Sequence, residues 1–213
     1  MLGDIVLISD PRVAAVPVRE CGEPLADVRG RLRVDARLAD PDGSYAHLRA
    51  GLLARLEKAE RLLPAGYHLL VVEGYRPIPT QRRYFEEYRD ELLAAFPGMS
   101  PEEAHVAASR YVSPVDVAPH TAGAAVDLTL CSPDGVEYDM GTAVNDNPEQ
   151  SEGACYTRAA NISREARQNR RVLGAALEES GLVNYPTEWW HWSYGDRYWA
   201  FTTSTPFALY GPI

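Results

Sequence analysis

A carboxylate and an imidazole lie three residues apart in Glu188-Trp189-Trp190-His191, near the C-terminal end of the sequence. The imidazole can hold a metal ion, and the carboxylate can take a proton from a water that the metal activates. Catalytic zinc sites typically use three protein ligands and keep one position open. The chain offers His120, in a loop, and Asp127, on the strand that follows, as the other two. Two neutral imidazoles and one carboxylate leave such a centre with net positive charge, which brings the pKa of its water toward neutrality. Glu188 then has the role of general base, and afterwards of the acid that protonates a leaving amine. Arg76, at the mouth of an apolar run, can set a fixed cation beside a developing oxyanion, usually the largest electrostatic contribution in acyl transfer.

Each residue also has a plainer reading. Asp127 can pair with an arginine, Glu188 can sit at a rim, and Arg76 can be a surface residue of a turn. The tryptophans can be core, and a His-x6-Asp pair arises readily by chance. His47 and His105 read as surface or interhelical side chains.

The elements that must position these groups follow from periodicity. Residues 68–73 (HLLVVE) form a continuous apolar run closed by Gly74 and Pro77, the pattern of a buried strand with Glu73, Tyr75 and Arg76 at its end. From Ala124 the chain alternates: Val126, Leu128 and Leu130 share one face, and Ala125, Asp127 and Thr129 the other. An acidic side chain there needs a partner, because a buried carboxylate is costly alone. Pro133-Asp134-Gly135 predicts a turn and Val136 to Tyr138 a returning strand. Helices are predicted over 44–63, 79–96 (with Tyr84, Tyr88, Leu92 and Phe96 on one face), from Ser100 to about Tyr111, and 163–180. Ile5 to Ile8 reads as an edge strand and the Pro11 to Pro24 region as loop. Residues 140–162 show little periodicity, and a loop of that length is often a wall or lid of a site. Trp190 to Tyr194 and Arg197 to Phe201 suggest a hairpin around Gly195-Asp196. Positions three apart on a regular strand face opposite ways. Glu188 and His191 can therefore serve one centre only if Glu188 lies on the turn before the strand, which Pro186 favours.

Composition narrows the class. The 213 residues carry a net charge of −9, against a nucleic-acid binder, which needs basic residues to displace phosphate counterions. Arg29, Arg31, Arg33 and Arg37 are interspersed with acids and read as a solvated face. The three cysteines are scattered, with no CxxC pair and so no thiolate zinc site or disulfide framework. No apolar run approaches the roughly 20 residues that span a bilayer. The first residues lack the basic start of a signal peptide, so a cytoplasmic location and no membrane partner are expected.

Four segments taken together, EGYRP (73–77), HTAGAAVDLTL (120–130), EARQNRR (165–171) and EWWH (188–191), resemble the zinc D-alanyl-D-alanine dipeptidases of the vancomycin-resistance type, within the Hedgehog/D,D-peptidase superfamily. The resemblance spans about residues 66–200. It implies an α+β fold with a central, mostly antiparallel sheet flanked by helices. By position, it also implies one Zn2+ per chain held by His120, Asp127 and His191, with Glu188 as base and Arg76 stabilising the tetrahedral intermediate. Two positions depart from the family pattern. Ala118 stands where vancomycin-resistance members have a serine, and Asn145, beside Asp146, stands where an aspartate helps bind the substrate's amino group. Losing that carboxylate removes a charge-assisted hydrogen bond. The expectation is one domain, residues 1–213, that hydrolyses a small dipeptide such as D-Ala-D-Ala. A tailoring peptidase or amidase on another small peptide, and a zinc-bearing domain that binds without hydrolysis, are the alternatives.

Overall fold

A computed structural model describes residues 5–109 and 111–213; the first residues of the stretch read above for a signal peptide lie outside it. In chain order the elements are α1 (Pro11–Ala14), β1 (Leu25–Asp27), β2 (Arg33–Val34), β3 (His47–Arg49), α2 (Ala50–Leu62), β4 (His68–Glu73), α3 (Ile78–Ala95) and α4 (Pro101–Ala108). Then come β5 (Ala125–Cys131), α5 (Arg164–Glu179), β6 (Val183–Asn184), β7 (His191–Ser193) and α6 (Arg197–Thr202). The main sheet has the order β2-β4-β5-β7-β6; β2 runs parallel to β4 and the other pairings are antiparallel. The fold is therefore α+β with a mostly antiparallel central sheet, as expected. No helix among the described residues is long and apolar enough to cross a membrane.

One face of the sheet closes the core. Leu69 and Val71 of β4 and Val126, Leu128 and Leu130 of β5 pack with Leu52, Leu53 and Leu56 of α2 and with Leu173 and Leu177 of α5. Alternation along β5 then points Asp127 to the opposite face. Register places its neighbours: Asp127 is directly opposite His191 on β7, while Trp192, opposite Val126, goes into the core. On the other side of β5 a bulge between Val71 and Glu73 shifts the pairing so that Glu73, not Val72, stands opposite Asp127. Bulges beside active sites commonly re-aim a side chain in this way.

Several local expectations are corrected. The predicted 44–63 helix begins only at Ala50. Ser44–Ala46 form a 3-10 turn, and His47–Arg49 are extended because they pair with β1, a long-range contact that overrides the helical spacing. Ile5 to Ile8 form no strand, and the 11–24 loop contains α1. The helix after Ser100 has its full capping box but stops at Ala108. Val136 to Tyr138 contribute only an isolated bridge, Cys131 to Glu137. Arg197 to Phe201 are helical, since the Asp196 carboxylate caps the amides of Tyr198 and Trp199. Phe96 is exposed at the end of α3.

Residues 45–49 act as a brace. The carbonyls of Tyr45 and His47 accept from the amides of Gly74 and Tyr75, and the Arg49 amide donates to the Gly123 carbonyl. The approach is so close that a Cβ on Gly74 would lie 2.4 Å from the His47 carbonyl oxygen and 2.9 Å from Leu48 Cδ2. Gly74→Ala should therefore cost roughly 1–3 kcal/mol by overpacking, measured as a lowered urea midpoint. An unchanged midpoint would show that the brace has slack.

Candidate active site

His120 enters on a 3-10 turn, Pro119–Ala122, ended by Gly123 at φ +63°. Its Nδ1 lies 2.7 Å from the Gly74 carbonyl oxygen. That carbonyl can only accept, so Nδ1 carries the proton and the Nε2 lone pair faces inward. Asp127 comes from mid-β5. His191 opens β7, and Glu188 sits on the preceding turn, not on the strand. The turn is tied by Asn184, whose Nδ2 donates to the carbonyls of both Glu188 and His191 at 3.0 Å. The geometric condition on Glu188 and His191 is met.

The inward atoms converge. Asp127 Oδ1 lies 3.0 Å from His191 Nδ1, Asp127 Oδ2 3.4 Å from His120 Nε2, and the two ring nitrogens are 3.2 Å apart. Zinc bonds of about 2.0–2.2 Å at tetrahedral angles place donors roughly 3.3–3.6 Å apart. The observed spacings come within a few tenths of an ångström of that, and all three residues are buried. In donor chemistry and spacing the group fits a zinc ion. His191 Nε2, buried, has no hydrogen-bond partner among the described residues, so its ring is not fixed from behind as that of His120 is.

Charge at the site is tightly balanced. Burial alone would raise the Asp127 pKa, but the imidazoles, His120 foremost, hold it well below the usual carboxylate range. The His120 pKa is raised, because Asp127 outweighs burial, whereas burial wins at His191 and lowers it. Glu188, with Oε2 3.9 Å from His191 Nδ1, is pushed well up, first by burial and then by the Asp127 charge, with Arg76 opposing. A divalent cation in the group would reverse that shift, since it becomes the largest local charge.

Arg76 is fixed on two sides. Its Nε donates to Glu73 Oε1 at 2.7 Å, Nη2 donates to Glu73 Oε2, and Nη1 donates to Gln81 Oε1 at 2.8 Å. Burial works to lower its pKa, but Glu73 more than offsets it and the guanidinium stays charged. Among the described residues, three of its five N–H donors are thus engaged and two remain. Its backbone amide donates to the His120 carbonyl at 3.1 Å, which joins the two segments directly.

All five residues line a cleft of about 340 Å3, within the roughly 300–1,000 Å3 range of small-molecule sites. A larger open hollow of about 840 Å3 between the end of α3 and α4 contains none of them.

Comparison with known proteins decides the family. The family model described as D-ala-D-ala dipeptidase matches residues 49–207. The chain belongs to the D-ala-D-ala dipeptidase family. A D-alanyl-D-alanine dipeptidase of Synechocystis sp. is 30% identical over 217 residues, covering 88% of each chain. That of Enterococcus faecalis is 31% identical, covering 73% of this chain and 79% of the relative. A solved vancomycin-resistance D,D-pentapeptidase in complex with Zn(II) aligns with a TM-score of 0.43 at 19% identity, covering 89% of this chain and 85% of that one.

The family match begins at Arg49, yet two cleft residues precede it: Ile8, from the stretch expected as an edge strand, and Leu38, from a segment that the sequence left unplaced. Tyr84 and Tyr88 of α3, with Tyr111, form another wall, and burial pushes the Tyr88 hydroxyl up to about 12. Both positions that depart from the vancomycin-resistance pattern, Ala118 and Asn145, line the cleft, and Asn145 takes a left-handed φ of +70°. His47 and His105 stay outside it: His47 bonds the Gly43 carbonyl, and the exposed His105 ring meets Phe85 edge-on. Gln81, the second partner of Arg76, had no sequence signal; Glu73 was marked only by standing at its strand end.

The 140–162 segment is irregular, as read, and is one wall of the cleft through Asn145. Arg170 of α5 anchors it with donations to the carbonyls of Met140 (2.7 Å), Ala154 (2.8 Å) and Tyr156 (2.8 Å). Burial lowers the Arg170 pKa to about 10. Trp189 joins the same segment through its Nε1, which donates to Thr142 Oγ1 at 2.8 Å. Arg170→Met should take this donor from the buried Met140 and Ala154 carbonyls, at about 1–3 kcal/mol per group. Hydrogen exchange should quicken within 140–162 first; unaltered exchange there would mean that the loop is held by something else.

Proposed function

We propose that the chain is a single-domain, cytoplasmic zinc dipeptidase acting on a small dipeptide with D-residues, D-Ala-D-Ala being the leading substrate. The observation that carries this reading is the His120–Asp127–His191 group at near-tetrahedral spacing, with a buried glutamate and a doubly held arginine in the same cleft. Membership of the family and the dipeptidase names of the relatives support the substrate class.

When bound by these three residues, zinc supplies positive charge that polarises a carbonyl and acidifies water. Glu188, with Oε2 3.9 Å from His191 Nδ1, would take a proton from the attacking water and pass it to the departing amine. Its position on the turn, held by Asn184, keeps the carboxylate beside the ligands without occupying a ligand's place. Arg76, in the same cleft, would offer its remaining donors to the developing oxyanion, and because Glu73 and Gln81 already fix it, little reorganisation would be needed as charge develops. Glu87 and Glu91 of α3 bring negative charge to the cleft, which suits the ammonium end of a dipeptide where Asn145 offers only an amide.

Three measurements test this. Dialysis against a chelator should abolish dipeptide hydrolysis and zinc should restore it. Glu188→Gln should keep its zinc while turnover falls by about 10^2–10^4-fold; turnover persisting in that variant would remove Glu188 as the base. Across D,D-, L,D- and L,L-dipeptides, D-Ala-D-Ala should be cleaved with the highest kcat/KM, and preference for an L,L-dipeptide would refute the substrate assignment.

A further inference from the structure

We propose that Arg49 is a positioning residue for the metal centre, its guanidinium fixing the turn that presents His120. This rests on the zinc reading above. Arg49 ends β3 and is 3% exposed. Its Nε donates to the Ala122 carbonyl at 2.8 Å and its Nη1 to the Glu23 carbonyl. Nη2 donates to the Gly211 carbonyl at 3.3 Å and to Glu20 Oε2 at 3.1 Å, and the guanidinium lies 5.2 Å over the Tyr210 ring.

The partners explain why a cation is buried here. Three of these acceptors are backbone carbonyls; the one carboxylate, Glu20, is 40% exposed. An ion pair is therefore not the main purpose of the site. The guanidinium gathers separate segments around one planar fork, which lysine, whose three N–H donors share one nitrogen, cannot reproduce. Two bonds from Arg49 reach the histidine turn, one from the guanidinium and one from the backbone. Ala122 is held by Nε, and the next carbonyl, Gly123, by the Arg49 backbone amide at 2.9 Å. From its other side the turn is held by Gly74 and Arg76. Arg49 thus holds the end of the turn whose ring the Gly74 carbonyl aims, and so helps set where His120 stands.

Partners hydrogen-bonded directly to a metal ligand typically change metal affinity about 10–100-fold when removed, and Arg49 acts one step further back, through the turn, so the lower end of that range is expected. The test measures zinc affinity by competition with a chromophoric chelator, and the melting temperature of the metal-free chain, in the wild type and in the Arg49→Met, Arg49→Lys and Leu56→Ala variants. Leu56 is fully buried in the α2 core and serves as a control for general destabilisation. Arg49→Met should bind zinc about 10-fold more weakly, the lower end of the range for ligand partners, and Arg49→Lys should fall in between. Leu56→Ala should melt earlier but keep wild-type affinity.

Wild-type affinity in Arg49→Met, or in Arg49→Lys if the first does not fold, overturns the inference. So does an equal loss of affinity in Leu56→Ala. A wild type that takes no zinc overturns the metal reading itself, which is a distinguishable result.

Discussion

Asp127 is a buried carboxylate set between two imidazoles, and the rest of the site depends on keeping it neutralised. Removing such a charge from water costs several kcal/mol, so its partners must be close and well aimed. Both partners follow from sheet geometry. Register on β7 sets His191 opposite, and the turn that enters β5 carries His120 back over the same face. Glu188 adds a second buried carboxylate nearby, and the two repel. A divalent cation at this group would add positive charge beside both carboxylates and relieve that repulsion.

Keeping the donors aimed falls to parts of the chain that do no chemistry. The Tyr45–Arg49 segment binds the Gly74–Tyr75 backbone on one side and the His120 turn on the other, so the arginine and the first histidine share one support. The β4 bulge turns Glu73 toward Asp127, from where it grips Arg76. Across the cleft, Arg170 gathers three carbonyls of the long irregular segment, and Trp189 is bonded to the same segment next to Glu188. A site built this way is preorganised: its dipoles are already oriented before charge develops.

Much of this was legible in the sequence because strands and turns carry short-range signals. The two-residue period put Asp127 opposite an apolar face, and the same rule demanded that Glu188 precede the strand of His191. Helices α3 and α5 followed from spacing and caps, the latter with Ser163 capping the Ala166 amide. What escaped was non-local. Residues 47–49 carry a helical apolar period, and only their pairing with β1 makes them extended. The aromatic run of α6 suggests a strand until the Asp196 carboxylate is seen to cap it. Ile8 and Leu38 reach the cleft through segments without periodicity, and nothing in the sequence around Arg49 says that it will be buried among carbonyls.

Zinc-edge anomalous diffraction from crystals grown with the metal bears most directly on the proposed centre. A single strong peak is expected about 2.0–2.2 Å from His120 Nε2, an Asp127 carboxylate oxygen and His191 Nδ1, with Glu188 near it but outside bonding distance. A peak coordinated by other residues, or no peak at this group in zinc-replete crystals, would contradict it.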